Sequence, residues 1–146
     1  MPATATSPDA PSAGEVVELD AARFGALIPS HRFAIIDFWA PWCAPCRAFA
    51  PVFTEAAKRH PDLLFAKVNT EDEQALAGHF NIRSIPTLMI FRENVVIFSQ
   101  AGALSAGSLE EVLAAARGLD MDEVRREIEA GESHEAAPGA TGQTDG

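Results

Sequence analysis

Two cysteines lie three residues apart in the segment Asp37-Phe38-Trp39-Ala40-Pro41-Trp42-Cys43-Ala44-Pro45-Cys46. An apolar run ends at Trp39, a proline-containing turn follows, and the next helix starts at Cys43. The free N–H groups and positive dipole end of a helix start favour a thiolate over a thiol. Cys46 falls one turn further on and on the same face, within the roughly 4.4–6.8 Å Cα separation that a disulfide needs. Closing so small a ring removes little unfolded-state entropy, so the bond is suited to being made and broken. The expected chemistry is thiol–disulfide exchange: an exposed Cys43 attacks a substrate disulfide, and a deeper Cys46 attacks Cys43 to release the reduced substrate. Pro45 fixes φ early in the helix, where its missing N–H costs nothing. Asp37, the only charge in the run FAIIDFW, is the candidate acceptor for the Cys46 proton. A carboxyl in apolar surroundings has a raised pKa, which suits proton transfer near neutral pH.

The same residue types admit other readings. A Cys-x-x-Cys pair is also half of a zinc site, and His31, His60, His79 and His134 supply nitrogens. None of them has the paired spacing of zinc-binding histidines, and they read as surface residues; no metal is expected. A purely structural disulfide is the second alternative, and a reducing compartment disfavours it. For Asp37 the alternative is an edge position facing solvent.

The elements that position these residues alternate between strand-like and helix-like patterns. Residues 16–19 read as a short strand, with Asp20 capping a helix that buries Phe24, Leu27 and Ile28. Residues 33–39 read as a strand covered on both faces. The spacing predicts a helix over 44–60, kinked at Pro51, and a buried strand over 63–68. Thr70 and Glu73 fit a capping box for a helix burying Leu76, Ala77 and Phe80. Residues 87–91 and 95–98 read as a hairpin joined by Arg92-Glu93-Asn94. Ser105 or Ser108 caps a helix containing Leu109, Val112, Leu113, Ala116 and Leu119. A short amphipathic helix follows over 121–130. The order β-α-β-α-β-α-β-β-α implies an α/β fold with a mixed sheet flanked by helices.

Composition sets the boundaries. The 146 residues are 47% hydrophobic and 22% charged, values that suit one globular domain. The net charge of −10 is concentrated at the ends, because residues 120–146 hold eight acids against Arg125 and Arg126. Nucleic-acid binding is not expected of such a chain. No run of 18 apolar residues is present, so no membrane span is expected. The first fifteen residues lack the basic start and apolar stretch of a secretory signal. The expected organisation is a disordered arm over 1–14, one domain over 15–119, and an acidic tail over 120–146 that is a short helix and then loose from Gly131. The expected setting is the cytoplasm.

Five motifs in order resemble the thioredoxin family: DFWAPWC-x-PC at 37–46, the helix proline Pro51, AKVNTE at 66–71, IRSIPT at 82–87 and GALS at 102–105. The resemblance spans residues 16–119 and is greatest to the second bacterial thioredoxin type. That type often carries an N-terminal zinc ribbon, for which no cysteine precedes Cys43 here. The resemblance implies a thioredoxin fold and a protein-disulfide reductase. It gives Cys43 the role of nucleophile, Cys46 that of resolving thiol, Asp37 that of buried proton acceptor, and Lys67 that of its neighbouring lysine. Pro86 matches the family's cis-proline, and the backbone of Ile85 before it pairs with substrate as an added strand. Trp42, Gly102 and Ala103 match the rim of that docking surface. The implied partners are disulfide-containing clients and a thioredoxin reductase, a flavoenzyme drawing on NADPH; no bound cofactor and a monomeric state are implied. Ala44 stands where most of the family has glycine, which leaves open a thiol-disulfide oxidase or isomerase of different redox poise. A non-catalytic docking or holdase module is the third reading. The missing Asn-Gly at residues 92–94 is expected to loosen the hairpin edge.

Overall fold

A computed structural model of the chain describes residues 13–135. Most of the expected disordered arm (residues 1–12) and the end of the tail (136–146) lie outside the described residues. Five strands, β1 (Val16–Glu18), β2 (Phe33–Trp39), β3 (Leu64–Asn69), β4 (Thr87–Arg92) and β5 (Val95–Ala101), form one sheet in the order β1-β3-β2-β4-β5. β3 runs parallel to both β1 and β2, and β4 runs antiparallel to β2 and β5. β2 is therefore central, which is why its residues read as an unbroken apolar run rather than an alternating one.

Alternation along the strands sorts side chains onto two faces. Ala34, Ile36 and Phe38 of β2 join Leu64, Ala66 and Val68 of β3 beneath Phe24, Leu27 and Ile28 of α1 (Ala21–Ser30). α3 (Gln74–His79) lies on this face too, through Leu76 and the neighbouring Phe80, whose ring meets those of Phe24, Phe38 and Phe91. On the other face Ile35, Phe65, Leu88 and Ile90 pack against Phe49, Phe53, Ala56 and Ala57 of α2 (Ala44–Arg59). Leu109, Leu113 and Ala116 of α4 (Ala106–Arg117) complete this second layer. Asp37 follows Ile35 by two residues, so the strand pleat directs it to the face that α2 covers.

Helix starts follow from side chains that accept orphan N–H groups. Arg23 N–H donates to Asp20 Oδ1 at 2.8 Å, and Ser108 N–H donates to Ser105 Oγ at 3.1 Å, so Ser105 rather than Ser108 is the cap of α4. The Thr70–Glu73 capping box does not form. Thr70 instead donates through both its N–H (2.8 Å) and Oγ1 (3.0 Å) to the Trp39 carbonyl, tying the end of β3 to the end of β2. Asn69 turns the chain by accepting the Glu71 N–H (2.9 Å), and α3 starts only at Gln74. Leu76, Ala77 and Phe80 are half-buried rather than buried.

The β4–β5 turn also departs from expectation. Arg92 pairs with Val95 inside the ladder, leaving a two-residue turn, Glu93-Asn94, with φ of 53° and 67°. These are the positive φ values for which tight hairpins prefer Asn-Gly. The turn is held without glycine: Glu93 N–H donates to the Arg32 carbonyl (2.8 Å) and its carboxylate meets the Arg32 guanidinium (3.5 Å). The ladder behind it reaches Thr87↔Ala101 with one irregularity at Ile90/Phe91, so β5 runs three residues past the expected end at 98.

α4 ends at Arg117, before Gly118, so Leu119 lies beyond the helix in which its spacing places it. The segment from Arg117 onward is a separate unit. Its helix, α5 (Met121–Glu135), runs five residues past the expected end at 130, and Gly131 is helical rather than the start of a loose tail. Asp120 Oδ1 accepts the Asp122 and Glu123 N–H groups, and Arg125 and Arg126 pair with Asp122 and Glu123 one turn back. Exposed pairs of that kind add only a few tenths of a kcal/mol each.

Candidate active site

The end of β2 delivers Cys43 to the N-cap of α2. Cys43 and Cys46 are joined in a disulfide with a Cα separation of 5.2 Å. The Cys46 backbone N–H points at Cys43 Sγ (3.2 Å), while Arg47 N–H begins the helix ladder on the Cys43 carbonyl (3.1 Å). Cys43 Sγ thus sits at the positive end of the helix dipole with an N–H donor already aimed at it, the arrangement that favours its thiolate. Pro45 lies in the first turn, where no helical N–H is needed.

The expected contrast between an exposed Cys43 and a deep Cys46 is smaller than the sequence suggests: the two residues are 5% and 1% exposed. Ala40 is buried beside them, and Trp39 and Ile85 pack against the pair. What distinguishes the sulfurs is therefore the N-cap position and the aimed N–H of Cys43 more than residue exposure.

Cys43 Sγ lies 3.7 Å from the Ile85 carbonyl oxygen, and the Ile85–Pro86 peptide bond is cis. Pro86 is buried, and its carbonyl accepts the Gly102 N–H at 2.8 Å, with Gly102 at φ 105°. That bond draws the exposed Gly102–Ala103 segment to the residue beside the disulfide. Trp42, 64% exposed, is steadied by an Nε1–H bond to Glu71 Oε2 (2.9 Å). The sequence reading does not single out Glu71; its place at the end of the AKVNTE motif is the available signal.

Asp37 is fully buried, and neither carboxylate oxygen accepts a hydrogen bond from any described residue. Burial dominates its titration and pushes its pKa up to about 7, with the Lys67 ammonium opposing the shift and the Glu18 carboxylate adding to it. Lys67 is the register partner of Asp37 across β2–β3, and its Nζ lies 4.2 Å from the Trp39 ring centroid. No group of three or more His, Cys, Asp or Glu side chains among the described residues is arranged to hold a metal ion, and no described helix is long and apolar enough to cross a membrane.

Residues 15–115 match the family model "Thioredoxin", and the chain belongs to the thioredoxin family. It is 51% identical over 112 residues to a putative thioredoxin 2 of Streptomyces coelicolor, covering 77% of this chain and 84% of that one. Among solved structures it is similar to thioredoxin f from spinach chloroplast, at TM-score 0.69 and 29% identity over 75% of this chain and 99% of that one. A thioredoxin f2 structure in complex with ferredoxin:thioredoxin reductase matches at TM-score 0.69 and 28% identity, over 74% and 100% of the chains. The Cys43–Cys46 disulfide is accordingly that of a thiol–disulfide oxidoreductase, in the role of a protein-disulfide reductase.

Proposed function

We propose that the reduced Cys43–Cys46 pair passes two electrons to disulfides in client proteins. The observation that carries this reading is the Cys46 N–H directed at Cys43 Sγ on the helix N-cap. The Cys43 thiolate attacks one sulfur of the substrate disulfide; a mixed disulfide forms, and the other substrate sulfur leaves as a thiolate and takes up a proton. Cys46 then loses its proton to Asp37 and attacks Cys43 Sγ, forming the Cys43–Cys46 disulfide and releasing the second substrate thiolate. A base with a pKa near 7 is matched to that transfer at neutral pH. Lys67 stabilises the Asp37 carboxylate that accepts this proton.

Substrate lies along the Ile85 backbone beside Cys43 Sγ, as an added strand. Trp42, Gly102 and Ala103 supply the exposed rim of that surface, and Pro86 fixes the backbone behind it. For this chain we further propose action as a monomer in the cytoplasm, with no bound cofactor. A reductase partner is supported by the similar thioredoxin f2, whose structure holds one; for this chain the proposed electron source is NADPH through a flavin-containing thioredoxin reductase. The test is NADPH oxidation, followed by absorbance, with a bacterial flavin reductase and a protein disulfide. Oxidation that depends on this chain is expected, and its absence with a reductase that recharges another thioredoxin would contradict the proposed partner.

A further inference from the structure

The three-stranded register β1-β3-β2 places Glu18 opposite Lys67, and Lys67 opposite Asp37. Register partners in parallel strands share a face, so the three side chains form one row, carboxyl–ammonium–carboxyl, on the face that α2 covers. Trp39, two residues after Asp37, closes the row. Its Nε1–H donates to Glu18 Oε2 (3.0 Å), and Lys67 Nζ lies 4.2 Å from the centroid of its ring. Lys67 thus stands between two carboxyls in the register, and the outer carboxyl is held in place by the indole.

We propose that Glu18 is a positioning residue for the exchange reaction, holding Lys67 between two carboxyls and so setting the charge that Asp37 meets when it takes the Cys46 proton. This rests on the reading of Asp37 as that acceptor. Glu18 stands on the edge strand and reaches solvent, so the row links a buried carboxyl to the surface. The charged groups acting on Glu18 are Lys67 of β3 and Asp72 and Glu73 before α3; the Arg23 guanidinium of α1 is occupied at the Glu18 backbone carbonyl (2.8 Å). Those acting on Asp37 are Lys67 and Glu18. Its β4 register partner is Leu88, and the buried residues of α2 are Cys46, Phe49, Phe53, Ala56 and Ala57, none carrying a charge.

The test is Glu18→Gln, which keeps a carbonyl to accept the Trp39 N–H but removes the charge, with Glu18→Asp as the charge-retaining comparison. Two readouts are taken: the carboxyl carbon NMR titration of Asp37 in the disulfide form, where no thiol titrates, and the pH profile of disulfide reduction. Two strand spacings separate Glu18 from Asp37, roughly 10 Å. Removing a unit charge at that range lowers the Asp37 midpoint by about half a pH unit. The expected result is that shift in both readouts for Glu18→Gln and a midpoint near the original for Glu18→Asp. An unmoved NMR midpoint in Glu18→Gln overturns the role of Glu18. An NMR midpoint that moves while the rate profile stays in place overturns Asp37 as the acceptor, and the role of Glu18 with it.

Discussion

Cys46→Ser is expected to accumulate a covalent mixed disulfide between Cys43 and client proteins, whereas Cys43→Ser accumulates none. The reason lies at the start of α2. Cys43 Sγ has the N-cap position, the Cys46 N–H at 3.2 Å and the exposed Trp42 beside it, so it is the sulfur prepared to act as thiolate toward an incoming disulfide. Without Cys46 the first exchange proceeds and the second cannot. Both variants lose steady-state turnover, on the order of a thousandfold or more, the scale of removing a covalent nucleophile. Mass spectrometry of captured adducts checks the order of attack. Adducts on Cys46 in Cys43→Ser would reverse it, and full turnover in both variants would leave only a docking role.

Asp37→Asn carries two expected effects of opposite sign. Turnover at neutral pH falls by roughly a hundredfold, the low end of general acid–base contributions, with KM changing little, because Asp37 is fully buried and lies outside the docking rim. Stability moves the other way. In the folded chain Asp37 keeps its proton up to about pH 7, against 3.8 for the same carboxyl free in water. Between those pH values the folded state binds a proton that the unfolded state has released, so wild-type stability declines as pH rises and levels off above about 7. A gap of that width between the folded and unfolded pKa corresponds to about 4 kcal/mol. The amide of the Asp37→Asn variant does not titrate, so the stability difference in its favour grows by about 4 kcal/mol between roughly pH 4 and pH 8. Denaturant unfolding at acidic, near-neutral and mildly alkaline pH measures it. A constant difference across that range would mean that Asp37 is ionised in the folded protein throughout.

The sequence carries the site further than it carries the local structure around it. Cys43, Cys46 and Asp37 are legible because each is chemically distinct in its segment: two thiols at helical spacing, and one charge in an apolar strand. The central place of β2 follows from the same segments, because a strand apolar on both faces must be covered on both. What stays hidden depends on pairing across strands. Glu18 looks like an ordinary exposed residue until β1 is laid beside β3, which sets it in a row with Lys67 and Asp37. Thr70 fits a helix cap by spacing, yet its hydroxyl donates to the Trp39 carbonyl, a strand end 31 residues away. The hairpin is legible, but its turn reads as Arg92-Glu93-Asn94 rather than Glu93-Asn94, and the anchor Arg32 stays hidden because it lies outside the hairpin. Helix ends are no easier to place, since Gly118 stops α4 before Leu119 whereas Gly131 does not stop α5.

The reducing role turns on the redox poise of the Cys43–Cys46 pair, because Ala44 rather than glycine lies between the sulfurs. Equilibrating the protein in dithiothreitol and glutathione buffers gives that midpoint directly, with the fluorescence of Trp39 and Trp42, which flank the pair, as the signal. A single two-electron transition at roughly −270 mV, the poise of thioredoxin, is the expected result. A midpoint at roughly −180 to −120 mV, where disulfide isomerases and oxidases lie, would contradict the reductase role and assign the same chemistry to disulfide formation or rearrangement.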